Sequence, residues 1–217
     1  ARAEEYAAGV LDGSIVVGRW MRLAGERSKR ERETGHERGL YFDPDWAMHE
    51  LEFTRFCRHS KGEFAGKPLV LEPFQAWRHA EVFGWRRADG CRRFRKAYNE
   101  EARKNGKSTE TAEVVLYMAD GDGEPGARVF CAATKRDQAR LVYDEAREMV
   151  RQSPALRRRF QSLRDCLKVQ KTDSRISPLG RDADSADGLN ASCIAADEVH
   201  KWRTRDFWDV LVTSTGS

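Results

Sequence analysis

The sequence predicts an α/β fold with a mainly parallel central sheet flanked by helices and a helical N-terminal region. Two observations support this fold class. Residues 128–133 form an apolar run typical of a buried strand. Residues 135–151 then place Leu141, Val142, Ala146 and Val150 at the spacing of an amphipathic helix, whose apolar face we expect to turn inward. Because strands that alternate with helices are usually connected in parallel, the chain is expected to form a layered core.

The N-terminal part of the chain has a different character. Residues 4–11 and 45–59 carry apolar positions every three to four residues, which predicts helices. Residues 26–39 are dense in charge and predict a mobile loop, and a further helix is predicted over 74–83. We therefore expect residues 1–65 to form the helical region and residues 66–217 to form the core.

Composition limits the range of functions. The chain has 217 residues, enough for one sizeable core, and it lacks an apolar run of transmembrane length. Its five cysteines are widely spaced, so a zinc site or a disulfide framework is not expected. The net charge of +4 permits a nucleic-acid partner without requiring one. The first residues do not form a secretory signal.

Residues 101–108 carry the most informative motif. They match the phosphate-binding pattern G-x-x-x-x-G-K-[ST] except at the first position, where Glu101 replaces Gly. Residues 93–98 alternate basic and bulkier side chains, as a strand can, and residues 108–118 predict a helix. The motif is therefore expected to lie between a strand and a helix. Such a loop directs backbone N–H groups at phosphate, while Lys107 reaches the β- and γ-oxygens and the Ser108 hydroxyl ligates Mg²⁺. The alternative is a lysine-rich surface turn without a ligand.

A second candidate site follows about ninety residues later. Residues 191–196 form a small-to-apolar run that ends in Asp197 and Glu198. A buried strand that leads into two acids is typical of the second half of an ATPase site. Asp197 is expected to hold Mg²⁺ through water, and Glu198 to orient and deprotonate the attacking water. The alternative is a strand end with two solvated acids.

These features together resemble the large terminase subunit of tailed double-stranded-DNA bacteriophages. The resemblance covers nearly the whole chain, and its segments follow the family order: residues 71–75 with 83–85, 102–108, 133–135 with 137–139, 187–190, 196–200 and 213–216. The family often replaces the first Gly of the loop and places an Arg inside it. The resemblance implies a P-loop NTPase of the additional-strand (ASCE) type that hydrolyses ATP with Mg²⁺.

The resemblance also implies roles for individual residues. Gln75 matches the glutamine that reads adenine, and Arg103 matches the loop arginine that senses or stabilises the γ-phosphate. A helix-start Gln and a surface cation are the respective alternatives. Thr213, Ser214 and Thr215 match the family's coupling segment, whose hydroxyls would sense the γ-phosphate or the attacking water. The alternative is a frayed polar C-terminus. The residues expected to bind the nucleotide are Gln75, Lys104, Asn105, Gly106, Lys107, Ser108 and Thr109.

The resemblance further implies a motor that uses ATP to drive viral double-stranded DNA through a portal into the procapsid. The expected partners are those of such a packaging motor. They are double-stranded DNA, the portal protein, the small terminase subunit and further copies of the chain in a ring on the procapsid. In isolation a monomer is expected, without a membrane partner. The expected location is the host cytoplasm, with transient docking on the procapsid. The family continues into a nuclease domain, and nuclease activity is not expected of this chain.

Other features of the chain are weaker candidates for a functional site. His49, Cys57 and His59 are poorly spaced for a metal site, and residues 182–188 miss the calcium-loop pattern and predict a polar loop. The basic runs at 92–96 and 157–159 suit either DNA phosphates or a solvated face. A helicase-like DNA-dependent ATPase and a nucleotide-binding scaffold with little turnover remain as alternative functions.

Overall fold

The structure of the protein, a computed structural model, describes residues 2–102, 104–180 and 189–215. By packing, the chain divides into two units. The first consists of Ala1–Thr54 and Val70–Glu100, and the second of Arg55–Leu69 and Glu101–Ser217. The boundary expected at residue 65 separates a helical N-terminal region from an ATPase core. The two packing units do not test it, so it stays a prediction.

The first unit is mainly helical. Its elements are α1 (Arg2–Asp12), α2 (Arg19–Thr34), β1 (Leu40–Phe42), α3 (Pro44–Phe53), α4 (Pro73–Gly84) and β2 (Trp85–Arg87). Strands β1 and β2 pair antiparallel, and α4 packs against α1 and α3. Gly84 lets α4 approach β1 closely, since a Cβ there would lie 2.6 Å from the Phe42 ring.

A five-stranded sheet forms the centre of the second unit. Its strands are β3 (Arg128–Ala133), β4 (Phe160–Ser162), β5 (Leu167–Val169), β6 (Arg175–Gly180) and β7 (Cys193–Ala196). They lie in the order β4-β5-β6-β3-β7. Strand β3 runs parallel to β6 and β7, whereas β5 runs antiparallel to β4 and β6. The α/β class with a mixed, mostly parallel sheet is thereby confirmed.

Helices cover both faces of this sheet. They are α5 (Lys107–Leu116), α6 (Arg136–Gln152), α7 (Pro154–Arg159) and α8 (Asp206–Ser214), and a π-helical turn (Tyr117–Gly121) follows α5. Phe207 and Leu211 of α8 pack on Ala132 and Leu179. Because neighbouring residues of a strand face opposite sides, the other face of β3 is left for α5 and α6, which both contact this strand.

Several predicted elements are confirmed. The strand over 128–133 and the helices over 4–11, 74–83 and 135–151 appear with shifts of at most two residues. Residues 163–180, where the sequence suggests short strands or a hairpin, contain β5 and β6, and residues 206–212, where it allows a short helix or a strand, are helical. Val142, Ala146 and Val150 are buried as expected, but Leu141 is 62% exposed, so its inward placement is wrong. Leu141 lies one residue off the buried stripe of α6.

Three other expectations are wrong. The helix expected over 45–59 ends at Phe53, where a 3₁₀ turn (Thr54–Phe56) takes over. The mobile loop expected over 26–39 is largely the helix α2, because Glu31 is buried and accepts hydrogen bonds from Arg38 and Arg93.

The strand expected over 93–98 is also wrong, since the segment is irregular. The Arg93 guanidinium pairs with Glu31 and lies 4.7 Å from the Phe94 ring centre. Arg93 therefore belongs to a charged cluster within the first unit.

Within the described residues, none of the helices is long and apolar enough to cross a membrane.

Candidate functional site

The predicted phosphate loop lies at the start of α5. Gly106 precedes this helix with φ of 81°, a left-handed conformation that glycine adopts at little cost. Lys104 is also left-handed, with φ of 71°. Two left-handed residues so close together turn the chain sharply into the helix. Because the first N–H groups of any helix lack acceptors within it, the start of α5 offers the donors that an anion requires.

The Lys107 side chain bridges the two ends of the loop. Its Nζ donates to the backbone carbonyl oxygens of Glu101 at 2.7 Å and Ala102 at 3.1 Å. These acceptors are neutral, so they bind the ammonium less strongly than a carboxylate or a phosphate would. A phosphate oxygen can therefore compete for Lys107. Asn105 and Ser108 lie at the exposed rim of the same loop.

Thr109 ties the loop to α6. Its hydroxyl donates to Glu145 Oε1 at 2.9 Å, and the same oxygen accepts from the Ser60 hydroxyl at 2.6 Å. The other carboxylate oxygen, Oε2, lies 3.2 Å from Lys61 Nζ. Glu145 is a site residue that the sequence motifs do not identify. The available signal was an acid on the apolar face of α6, next to Ala146 and one turn from Val142.

The acidic pair follows β7. The Asp197 N–H donates to the Ala132 carbonyl at 2.9 Å, which continues the pairing of β7 with β3. Asp197 Oδ1 accepts from the Glu198 N–H at 2.9 Å, and the Asp197 carbonyl accepts from Trp202 Nε1 at 3.2 Å. These contacts fix the pair just beyond the sheet edge.

Glu198 has a left-handed backbone with φ of 52°, which is uncommon for a residue other than glycine. Its Oε2 lies 2.7 Å from Lys201 Nζ and 3.4 Å from His200 Nε2. Non-glycine residues held in this conformation often occur at functional sites. A carboxylate at such a position, with basic neighbours, has the chemistry to orient a polarised water.

A buried thiol lies on the neighbouring strand. Burial raises the pKa of Cys131 far above its usual range, and the charges of Cys193 and Asp197 act in the same direction. Cys131 therefore stays a neutral thiol, and nucleophilic sulfur chemistry is not expected beside the acidic pair.

Because β3 and β7 are parallel, their carboxyl ends lie on the same side of the sheet. β3 ends before Thr134, whose hydroxyl lies 3.2 Å from Gln138 Oε1, and β7 ends before Asp197. Helix α5, which begins in the phosphate loop, packs against both β3 and β7. Ligands of open α/β sheets bind at the carboxyl ends of such strands.

Thr213, Ser214 and Thr215, which are predicted to form the coupling segment, lie at the end of α8. Their hydroxyls donate to backbone carbonyls: Thr213 to Asp209 at 2.9 Å, Ser214 to Leu211 at 2.7 Å and Thr215 to Val212 at 2.8 Å. The Ser214 carbonyl accepts from the Ala191 N–H at 2.9 Å. Ala191 precedes β7. The end of α8 therefore lies beside the start of β7, and the acidic pair follows the other end of the same strand.

Two predicted residues remain. Gln75 lies in the first unit, buried near the start of α4, and its Oε1 accepts from the Glu72 N–H at 2.9 Å. Its amide therefore caps a helix start in this structure. Arg103 lies outside the described residues, as do Asp187 and Gly188 and the acidic segment over 182–188.

A nucleotide with Mg²⁺ fits the chemistry of these residues. The start of α5 supplies N–H donors and the loop supplies Lys107, which suits phosphate. The Ser108 hydroxyl and the Asp197 carboxylate are oxygen ligands of the kind that Mg²⁺ prefers.

Comparison with known proteins gives two matches of interest. Residues 73–216 match the family model described as the terminase large subunit, ATPase domain. The crystal structure of the HK97 bacteriophage large terminase resembles the chain with a TM-score of 0.67 and 24% sequence identity, over 78% of this chain and 35% of that one. The chain thus spans about a third of that terminase, and at this identity the likeness is one of fold. A comparison with curated proteins gives no match.

Proposed function

The chain belongs to the family of terminase large-subunit ATPase domains, and we propose that it hydrolyses ATP to drive viral double-stranded DNA into a procapsid. The observation that carries the proposal is the Gly106–Lys107–Ser108 loop at the start of α5, a helix that packs on β3 and β7. Strand β7 ends at Ala196, directly before the acidic pair of Asp197 and Glu198.

The phosphates of ATP would bind at the start of α5. Backbone N–H groups from Lys104 to Ser108 would receive the phosphate oxygens, aided by the helix dipole. Lys107 would leave the carbonyls of Glu101 and Ala102 for the β- and γ-oxygens. The exchange is favourable because an anionic oxygen is a stronger acceptor than a neutral carbonyl. Gln75 would read adenine, and its release from the Glu72 N–H would free its amide oxygen for the base.

Hydrolysis would depend on the acidic pair. Glu198 would orient the attacking water and take its proton, while Arg103 would stabilise the charge on the γ-phosphate. Ser108 and Asp197 would hold Mg²⁺, directly and through water respectively. When bound, Mg²⁺ neutralises part of the phosphate charge. These roles resemble those of other phosphate-loop ATPases. None of them involves recognition of particular DNA bases, which suits a motor that must translocate DNA of any sequence.

Coupling to DNA movement would use α8. The hydroxyls of Thr213, Ser214 and Thr215 are bonded to their own helix, so the helix as a unit is the better candidate than any single hydroxyl. The link from Ser214 to Ala191 connects α8 to β7, and β7 carries the acidic pair. A shift of Asp197 or Glu198 on hydrolysis would therefore reach α8 through this strand.

The assembly follows from the same proposal. The working motor would be a ring of chains that docks on the portal protein of a procapsid in the host cytoplasm. The small terminase subunit would present the DNA. The isolated chain would be mainly a monomer.

The test is phosphate release by the purified chain with Mg²⁺, measured with and without duplex DNA. Turnover that duplex DNA stimulates, without strand separation, supports the motor. Separation of a labelled duplex would favour a helicase-like ATPase instead. Tight ATP binding with negligible turnover, with and without DNA and portal protein, would favour a nucleotide-binding scaffold.

A further inference from the structure

We propose that Glu145 positions the phosphate loop by holding the hydroxyl of Thr109, and thereby sets the affinity for Mg²⁺-bound ATP. The inference rests on the proposed function, because it concerns the same loop. Glu145 lies on α6, and Thr109 lies in the first turn of α5. The side chain of Glu145 does not belong to the loop and carries no part of the matched motif.

The contacts show a carboxylate with donors on both oxygens. Oε1 accepts from Thr109 at 2.9 Å and from Ser60 at 2.6 Å, and Oε2 faces the Lys61 ammonium at 3.2 Å. The Glu145 side chain is only 5% exposed, whereas Lys61 is 81% exposed. The bond to Thr109 is therefore both charge-assisted and shielded from water, which strengthens it.

Packing alone does not explain an acid at this position. The buried side of α6 otherwise presents residues such as Val142, Ala146 and Met149. An apolar residue there would fill the space without the desolvation cost of a charge, and such replacements of buried ions are often neutral or stabilising. The carboxylate differs from an apolar side chain in that it accepts the hydrogen bond of Thr109 and so holds this hydroxyl in one orientation.

The position of Thr109 gives that orientation a consequence. Thr109 is the third residue of α5 and follows Ser108, the proposed Mg²⁺ ligand. Its N–H is one of the first four of the helix, which lack acceptors within it. With the hydroxyl held by Glu145, the first turn is fixed with its N–H groups directed at the phosphate position. Preorganisation of this kind raises affinity, since less ordering remains to be done on binding.

The experiment compares Thr109→Val, Thr109→Ser, Glu145→Gln and the double variant Thr109→Val with Glu145→Gln. Titration calorimetry measures the Kd for Mg²⁺-ATP, and steady-state kinetics separates KM from kcat. Asp144→Asn is the matched control, because Asp144 is the exposed neighbour of Glu145 on α6 and pairs only loosely with Arg147 at 3.8 Å. Thermal unfolding without nucleotide shows whether each variant folds.

Thr109→Val should weaken Mg²⁺-ATP binding about tenfold, the scale of one lost charge-assisted hydrogen bond. KM should rise with kcat within about twofold, because Thr109 does not touch the reacting atoms. Thr109→Ser keeps the hydroxyl and should restore the wild-type Kd. The double variant should be about as weak as Thr109→Val alone, since both changes remove one interaction.

Two results would overturn the inference while leaving the proposed function intact. One is a wild-type Kd in folded Thr109→Val. The other is a double variant about a hundredfold weaker, which would mean that the two side chains act separately. Failure of the wild-type chain to bind Mg²⁺-ATP would overturn the proposed function, and this inference with it. An effect of Asp144→Asn as large as that of Glu145→Gln would reduce Glu145 to general surface charge and also overturn the inference.

Discussion

Lys107 reaches back across the phosphate loop to Glu101, and its ammonium donates to the Glu101 backbone carbonyl at 2.7 Å. The acceptor is the backbone of the residue that stands where the loop pattern has its first Gly. Because any residue has a carbonyl, the substitution of Gly by Glu101 leaves this contact in place. The missing Gly is therefore compatible with a working loop.

Lys107→Ala is expected to abolish ATP turnover, because the β- and γ-phosphates lose their cation. Phosphate release under saturating Mg²⁺-ATP is the measurement. Lys171→Ala is the control, since it removes one positive charge from an exposed turn between β5 and β6. Near wild-type turnover in Lys107→Ala would show that the loop is only a basic surface turn.

Glu31 is expected to make the stability of the protein depend on pH. Hydrogen bonds from Arg93, with a further one from Arg38, lower the pKa of Glu31 to about 2 despite its burial, from an ordinary value of 4.5. Because the folded pKa is the lower one, the stabilisation is complete above about pH 5. It is lost as the pH falls from there towards 2.

Glu31→Gln should therefore lower the free energy of unfolding by about 2 kcal/mol at neutral pH. The difference from wild type should shrink as the pH approaches about 3. Urea unfolding followed by tryptophan fluorescence measures both. Glu33→Gln, at an exposed position of the same helix, is the control. A difference that stays constant across this pH range would contradict the role of Glu31.

Cys131 should resist alkylation in the folded protein, because burial raises its pKa and only the thiolate is nucleophilic. Cys91 is exposed and serves as the internal control. Iodoacetamide at mildly alkaline pH, followed by peptide mass spectrometry, should label Cys91 and leave Cys131 unmodified until urea is added. Equal labelling of both in the native state would show that β3 is not packed as described.

The sequence predicted the elements whose signal is local. β3 is a continuous apolar run and α6 has a regular apolar spacing, so both were found nearly to the residue. The helix α2 was missed because its charge density suggested a loop. Its buried Glu31 pairs with Arg93, which lies 62 residues away, so no local pattern shows this contact. The same pairing engages the Arg93 side chain within the first unit, where residues 93–98 are irregular.

The same distinction applies to the candidate site. Lys107, Ser108, Asp197 and Glu198 belong to short patterns that chemistry restricts, so the sequence alone could name them. Glu145 could not be named in this way, since its partners Thr109 and Ser60 lie 36 and 85 residues away. Side-chain networks of this kind become visible only when the helices are packed.

If a neighbouring chain supplies a stabilising arginine, turnover per chain should rise with protein concentration. At low concentration a monomer with slow turnover is expected, because such an arginine contributes about 10³–10⁵ in rate in other phosphate-loop enzymes. Sedimentation and phosphate release over a range of concentrations measure both properties. A monomer at all concentrations that turns over at about 10 s⁻¹ or faster would exclude activation by a neighbour.

The most direct test of the account is Glu198→Gln, measured for ATP binding and for turnover on the same preparation. In the proposed mechanism the loop binds ATP and Glu198 deprotonates the attacking water. The variant keeps the shape of the side chain but removes the base. Wild-type Mg²⁺-ATP affinity with turnover reduced about 10²-fold or more is the predicted result. Glu63→Gln, at an exposed position, should match wild type in both. Wild-type turnover in Glu198→Gln, or loss of ATP binding in a folded variant, would contradict the account.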